Sequence, residues 1–178
     1  MSDILIIGGG AAGLSAAVSA SSEKVLLVDD NPKLGGQIWR TELGKIKSPE
    51  ARELIEKIEQ KQVSIINNAS VFAQNNEKSL LAETPNGTIE LKFEKLILAT
   101  GARERFLPFP NWTLPNTFGA GGLQALVKSG LSVRNKRIIV AGTGALLLAV
   151  AEYLKSKGAR ILLIAEQTFI SKIDNIWL

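Results

Sequence analysis

The stretch ILIIGGGAAGLSAA, residues 4–17, limits the fold more than any other part of the chain. An apolar, β-branched run that ends in glycine and passes at once into a small-residue helix suits a parallel strand covered on both faces. KVLLVDD, residues 24–30, then reads as a second buried strand. Two parallel strands joined by a helix cross over right-handedly, so the opening of the chain is half of a nucleotide-binding sheet.

Gly8, Gly10 and Gly13 have the spacing GxGxxG, with a separate reason for each glycine. Gly8 permits the tight turn, Gly10 lets backbone approach a pyrophosphate, and Gly13 allows close packing of helix on strand. The helix amino end offers free N–H groups and a favourable dipole to negative charge. Asp29 lies 21 positions beyond Gly8, at the end of the second strand, where an acid can accept from a ribose hydroxyl. Its neighbour Asp30 reads as solvated. Gly35 and Gly36, in NPKLGGQIWR, could be a flexible loop, with Trp39 as packing and Arg40 as a solvated cation.

The chain has neither cysteine nor histidine. Disulfides, thiolate metal sites and a dithiol redox centre are excluded within it, as is any Ser–His–Asp arrangement. No metal site is expected, and redox chemistry would need a borrowed cofactor. The 21 Lys and Arg against 17 Asp and Glu are scattered in sequence and not interleaved with aromatic residues, which argues against a nucleic-acid platform. No run is long enough to span a membrane: ALLLAVAEYL is short and carries Glu152. A cytoplasmic location is the default expectation.

Further along, SPEARELIEKIEQ has a capping serine, Pro49 at the first helical position and Leu54, Ile55 and Ile58 on one face, so it predicts a helix. VSIIN predicts a strand, KSLLAETPNGTIELKF two strands about a Pro-Asn-Gly turn, and KLILATG a further buried strand. FLPFPNWTLPN carries three of the six prolines and marks a boundary between two lobes. Beyond it, GGLQALVKSG predicts a short helix. In TGARERF, Arg103 and Arg105 could touch a phosphate or flank Glu104 on the surface.

KRIIVAGTGALLLAVAEYLKSKGARILLIAEQ then repeats strand, glycine turn, helix and strand. Gly142 and Gly144 are in place, but Leu147 replaces the third glycine and demands a wider gap between helix and strand. Glu166, 22 positions after Gly144, suits a ribose, and with no arginine beside it an intact site would prefer NAD over NADP. The same residues also fit a nucleotide-binding fold that has lost its ligand. Only TFISKIDNIWL follows, so this second lobe is incomplete; the tail could come from a shortened reading frame.

LIIGGGAAGLSAA, LLVDDNPKLGGQIWR, LILATGARERFLPFPNWTLPN and GGLQALVKSG together resemble flavoproteins of the pyridine nucleotide-disulphide oxidoreductase type. Within that group they resemble the FAD-containing subunits of opine oxidase and hydrogen cyanide synthase and the related amino-acid dehydrogenase subunits. The resemblance implies FAD at Gly8, Gly10, Gly13, Asp29, Gly35 and Gly36, with Gln37 as an additional contact and Thr100 and Gly101 passing the same cofactor. It implies NAD at Gly142, Gly144 and Glu166 if that site is intact. The redox cysteines of the disulphide reductases are absent, as is the late Gly-Asp segment that completes the FAD lobe in that family.

The expected fold class is therefore α/β. Residues 1–106 are a Rossmann-like FAD lobe with a parallel sheet and β-meander, 107–119 a proline-rich crossover, and 120–178 a partial NAD-type lobe. The function that the resemblance implies is an FAD-dependent oxidoreductase subunit, or its N-terminal part. It would act in dehydrogenation of a small amino-acid-like or opine substrate, beside a companion flavoprotein subunit, with no membrane span. The alternatives are a non-catalytic nucleotide-binding or assembly module and a stand-alone NADH-dependent flavin reductase. No catalytic residue is assigned.

Overall fold

A computed structural model describes residues 1–21, 24–39, 48–104, 106 and 108–167. Arg40, Arg105 and the tail 168–178, on which some sequence expectations fall, lie outside these described residues. The chain divides into two compact units, Met1–Ala102 and Arg103–Leu178.

In the first unit the opening motif folds as expected, into β1 (Ser2–Ile7), α1 (Ala11–Ser19) and β2 (Val25–Val28). Helix α2 (Pro49–Gln60) follows, and Ser48 caps it by accepting from the Ala51 N–H at 3.3 Å. Then come β3 (Ser64–Ile66), β4 (Ser70–Asn76), β5 (Ser79–Thr84) and β6 (Gly87–Leu98). The sheet order is β3-β2-β1-β6-β5-β4. Strands β3, β2, β1 and β6 run parallel, while β6, β5 and β4 form an antiparallel meander.

Two sequence expectations change here. TIELKF and KLIL are one strand, not two: β6 pairs antiparallel with β5 through Lys92 and parallel with β1 from Phe93. Its last residues are also less buried than a central strand requires, Leu98 being 68% exposed. Strand β4 has no counterpart in the sequence reading, because SVFAQNN is polar and mostly exposed and becomes a strand through its pairing with β5.

Alternation along β1 divides the core. Ile6 packs with Leu14, Ala17, Val25, Leu27 and Ile58 on the helix side, whereas Leu5 and Ile7 pack with Val28, Leu80, Ala82, Leu91 and Phe93 on the other. Removing a side chain as deeply buried as Leu27 would cost about 2–5 kcal/mol. Lys61, just past α2, donates to the Val18 and Ala20 carbonyls at the end of α1 and so joins the two helices.

The second unit holds α3 (Ala120–Lys128), β7 (Arg137–Gly142), α4 (Leu146–Ser156) and β8 (Arg160–Glu166). Strands β7 and β8 are parallel, and Val140, Leu147, Val150, Ala151 and Leu154 fill the space between sheet and helices. Both faces of the strands are apolar, as parallel strands usually are, yet Ile139, Leu162 and Leu163 are more than half exposed. In the proline-rich stretch Phe106 packs its ring against those of Phe109 and Trp112. Among the described residues no helix is long and apolar enough to cross a membrane.

Candidate functional site

The carboxyl ends of β1, β2 and β6 meet at one edge of the first sheet, where open α/β sheets bind ligands. Gly8 leaves β1 with φ +109°, and a Cβ there would stand 2.3 Å from the Ala99 carbonyl oxygen. A Cβ at Gly13 would stand 1.7 Å from the Gly8 carbonyl oxygen. Both positions therefore exclude any side chain. Gly10 differs: its nearest neighbour would be the Gly36 Cα at 3.8 Å. Its small size keeps the space over the turn open and is not required by the packing beneath it.

Gly35 and Gly36 are brought onto this turn. The Gly35 N–H donates to the Gly9 carbonyl at 2.8 Å, and a Cβ on Gly36, at φ +57°, would come within 2.9 Å of the Gly10 Cα. The flexible-loop alternative therefore gives way to a fixed loop, closed further by the Trp39 N–H on the Gly35 carbonyl at 3.1 Å. Gln37 is exposed next to it. Thr100 and Gly101 follow β6 beside the turn, the Thr100 nitrogen lying 3.2 Å from a Cβ placed on Gly8.

Helix α1 begins over this cradle with Gly10 as its N-cap, no side-chain cap and no acid in its first turn. The first-turn amides of a helix have no intrahelical acceptor, so this end can receive an anion. The glycine cradle and the uncapped helix fit a bound pyrophosphate.

Asp29 is placed differently from a free ribose acceptor. It is 5% exposed, and one carboxylate oxygen accepts from the Gly9 N–H. The other accepts from the Asn31 N–H at 2.7 Å and from Asn31 Nδ2 at 2.9 Å. Its backbone bonds to Ile66 and Ala69, at the end of β3. Three donors satisfy a buried carboxylate that would otherwise be costly, and they tie the glycine turn to β2 and β3. Asp30, adjacent and exposed, accepts from Asn31 Nδ2 at 2.6 Å.

Sequence reasoning passed over Gly9 and Asn31. A Cβ on Gly9 would stand 2.5 Å from Leu34 Cδ2 and 2.8 Å from Asp29 Oδ2. The signals were present: a third glycine inside the motif, and an Asp-x-Asn spacing in which an acid bonds backbone two residues on.

The second turn keeps Gly142 and Gly144 at the end of β7 and the start of α4. Leu147 is buried against Val140 and Ala151, so the wider gap that leucine demands is filled by its own side chain. Glu166 accepts from the Gly144 N–H at 2.9 Å through Oε2. Helix α3 has its own carboxylate: Glu104 accepts from the Ala120 and Gly121 N–H groups at 2.8 and 2.9 Å. Arg103 beside it is exposed.

Known proteins resemble this chain in sequence and fold. Hydrogen cyanide synthase subunit HcnB of Pseudomonas protegens is 32% identical over 95% of this chain and 39% of its own length. An opine oxidase subunit from Rhizobium meliloti is 31% identical over 94% of this chain and 36% of its own. The chain thus spans less than two-fifths of either relative. The crystal structure of L-proline dehydrogenase from P. horikoshii shares the fold, with a TM-score of 0.72 at 22% identity, over 92% of this chain and 35% of that one. The family model for pyridine nucleotide-disulphide oxidoreductases matches residues 2–175, so this chain, with its two glycine turns on Rossmann-like α/β units, belongs to that family.

Proposed function

We propose that the chain is the FAD-binding part of an oxidoreductase that dehydrogenates a small amino-acid-like or opine substrate and works with a companion flavoprotein subunit. The observation that carries the cofactor reading is the glycine cradle: Gly10 open on its ligand side, Gly36 closed over it, and the uncapped start of α1 beneath. The substrate and partner readings draw on the similarity to hydrogen cyanide synthase subunit HcnB and to the opine oxidase subunit, each by its name a part of a larger enzyme.

In this reading Gly8 and Gly13 shape the turn, Gly10 and Gly36 admit the pyrophosphate to backbone, and the α1 amides bind it. Thr100, Gly101 and Gln37 lie along the same cofactor. Asp29, buried, holds the turn from behind, and Asp30, exposed beside it, takes the ribose hydroxyl. Bound FAD would accept a hydride equivalent from the substrate and pass electrons on.

A second reading, a nucleotide-binding module without chemistry, draws support at the second turn. There the Glu166 carboxylate occupies an amide that a phosphate of NAD would use. Under the NAD reading, Gly142 and Gly144 bind the nucleotide and Glu166 turns to its ribose.

Purification of the chain and measurement of blue-region absorbance, with release and identification of the nucleotide, tests the cofactor reading. FAD near one per chain is the expected result. A folded chain that stays colourless after FAD is supplied would favour the module.

A further inference from the structure

The two units differ in charge. Residues 1–102 carry 11 Lys and Arg against 13 Asp and Glu, whereas residues 103–178 carry 10 against 4. The excess that looks scattered in sequence is gathered by the fold. Arg137 and Arg160 are the first residues of β7 and β8 and stand opposite one another in the parallel register. The Arg160 N–H donates to the Lys136 carbonyl at 2.8 Å, and the Asn135 N–H donates to the Gly158 carbonyl at 2.8 Å. Gly158 also brings Arg134 in, since a Cβ there would stand 3.2 Å from Arg134 Cγ.

Helix α4 runs antiparallel to these strands and delivers Lys155 and Lys157 to the same end. Lys157 and Lys128, the last residue of α3, place their Nζ atoms 5.5 and 6.0 Å from the Tyr153 ring centre. Seven cations thus collect at the amino-terminal edge of the β7–β8 sheet. The described acids of this unit lie elsewhere or at its margin: Glu104 caps the far end of α3, Glu166 lies at the opposite sheet edge, and Glu152 is one turn back along α4.

Lysines at helix ends complement the helix dipole, which accounts for Lys128, Lys155 and Lys157 but not for Arg134, Lys136, Arg137 and Arg160. We propose that this pole is a docking surface for an anionic lipid membrane, holding the second unit against it peripherally. Protein interfaces centre on buried apolar and aromatic anchors, whereas among the described residues the paired Arg137 and Arg160 hold the middle of this pole. Single-stranded nucleic acid calls for exposed rings to stack on, and the ring here, Tyr153, is flanked by Lys128 and Lys157. A fluid anionic surface needs only convergent charge, with each cation strengthening binding about fivefold. Leu131, 45% exposed on the loop that carries Arg134 and Lys136, gives the pole an apolar side chain to insert.

Co-sedimentation of the chain with phosphatidylglycerol–phosphatidylcholine vesicles and with pure phosphatidylcholine vesicles tests this. Binding is expected to the anionic vesicles alone, falling steeply with added salt. The double variant Arg137→Glu/Arg160→Glu should weaken it at least twentyfold. Lys33→Glu/Lys95→Glu, an equal charge change on the first unit, should weaken it less than threefold. If circular dichroism shows the arginine variant unfolded, Arg134→Gln/Lys136→Gln in the loop replaces it, with at least a tenfold loss expected. No preference for anionic vesicles, equal losses in both double variants, or tighter retention on duplex DNA than on vesicles would each overturn the proposal.

Discussion

The two glycine turns of this chain start from the same plan and handle their acids in opposite ways. At the first, a short acid at the end of the second strand is buried and bonded to the turn and to Asn31, and a second loop, Gly35–Gly36, closes over the outside. At the second, a longer acid, Glu166, reaches back from an exposed position to the Gly144 amide, and Leu147 fills the space that a glycine would have left. The same order of strand, glycine turn, helix and strand-end acid therefore encodes a prearranged cradle in one place and a self-satisfied turn in the other. What separates them is which groups are already bonded.

Breaking the third-glycine position should give the largest contrast. Gly13→Val forces a side chain into the Gly8 carbonyl and should destabilise the first unit by about 3 kcal/mol or more, read by urea unfolding. Leu147→Gly in the second turn also costs stability, but for the opposite reason, because it empties a packed site.

The acids come next. Asp29→Ala leaves buried donors without an acceptor and should cost about 2–3 kcal/mol. Glu166→Ala, at an exposed position, should change stability by no more than about 0.5 kcal/mol. Equal effects would remove the distinction between the turns. Gly36→Ala places a Cβ against Gly10 in a left-handed conformation, and an unfolding loss of about 1–2 kcal/mol is expected, together with weaker FAD binding. The smallest change is Asp30→Asn: stability unchanged, FAD affinity lower by roughly tenfold, as for one lost charge-assisted hydrogen bond. Calorimetric titration would separate those two quantities.

Much of this architecture was legible because local pattern and tertiary role agree. The continuous apolar runs of β1 and β2, the glycine spacing and the Ser48–Pro49 helix start each have one structural solution, and the fold adopts it. The meander was harder. Strand β6 shifts from alternating to continuous hydrophobicity where its neighbour changes from β5 to β1, so one strand reads as two. Strand β4 has too little apolar pattern to announce itself and depends on its partner. At the site, glycine positions were readable because their reason is steric and local. The commitment of Asp29 to Gly9 and Asn31 was not, because a strand-end acid looks the same in sequence whether it faces a ligand or its own turn.

The most direct test of the first turn as the FAD cradle is a titration of FAD into the wild-type chain and into Gly10→Val and Gly144→Ala. Gly10 has no close neighbour beneath it, so valine there should leave the fold intact while blocking the approach of a pyrophosphate. The account predicts one FAD per chain for the wild type and for Gly144→Ala, and none for a folded Gly10→Val. Undiminished FAD binding by Gly10→Val, or its loss in Gly144→Ala alone, would contradict it.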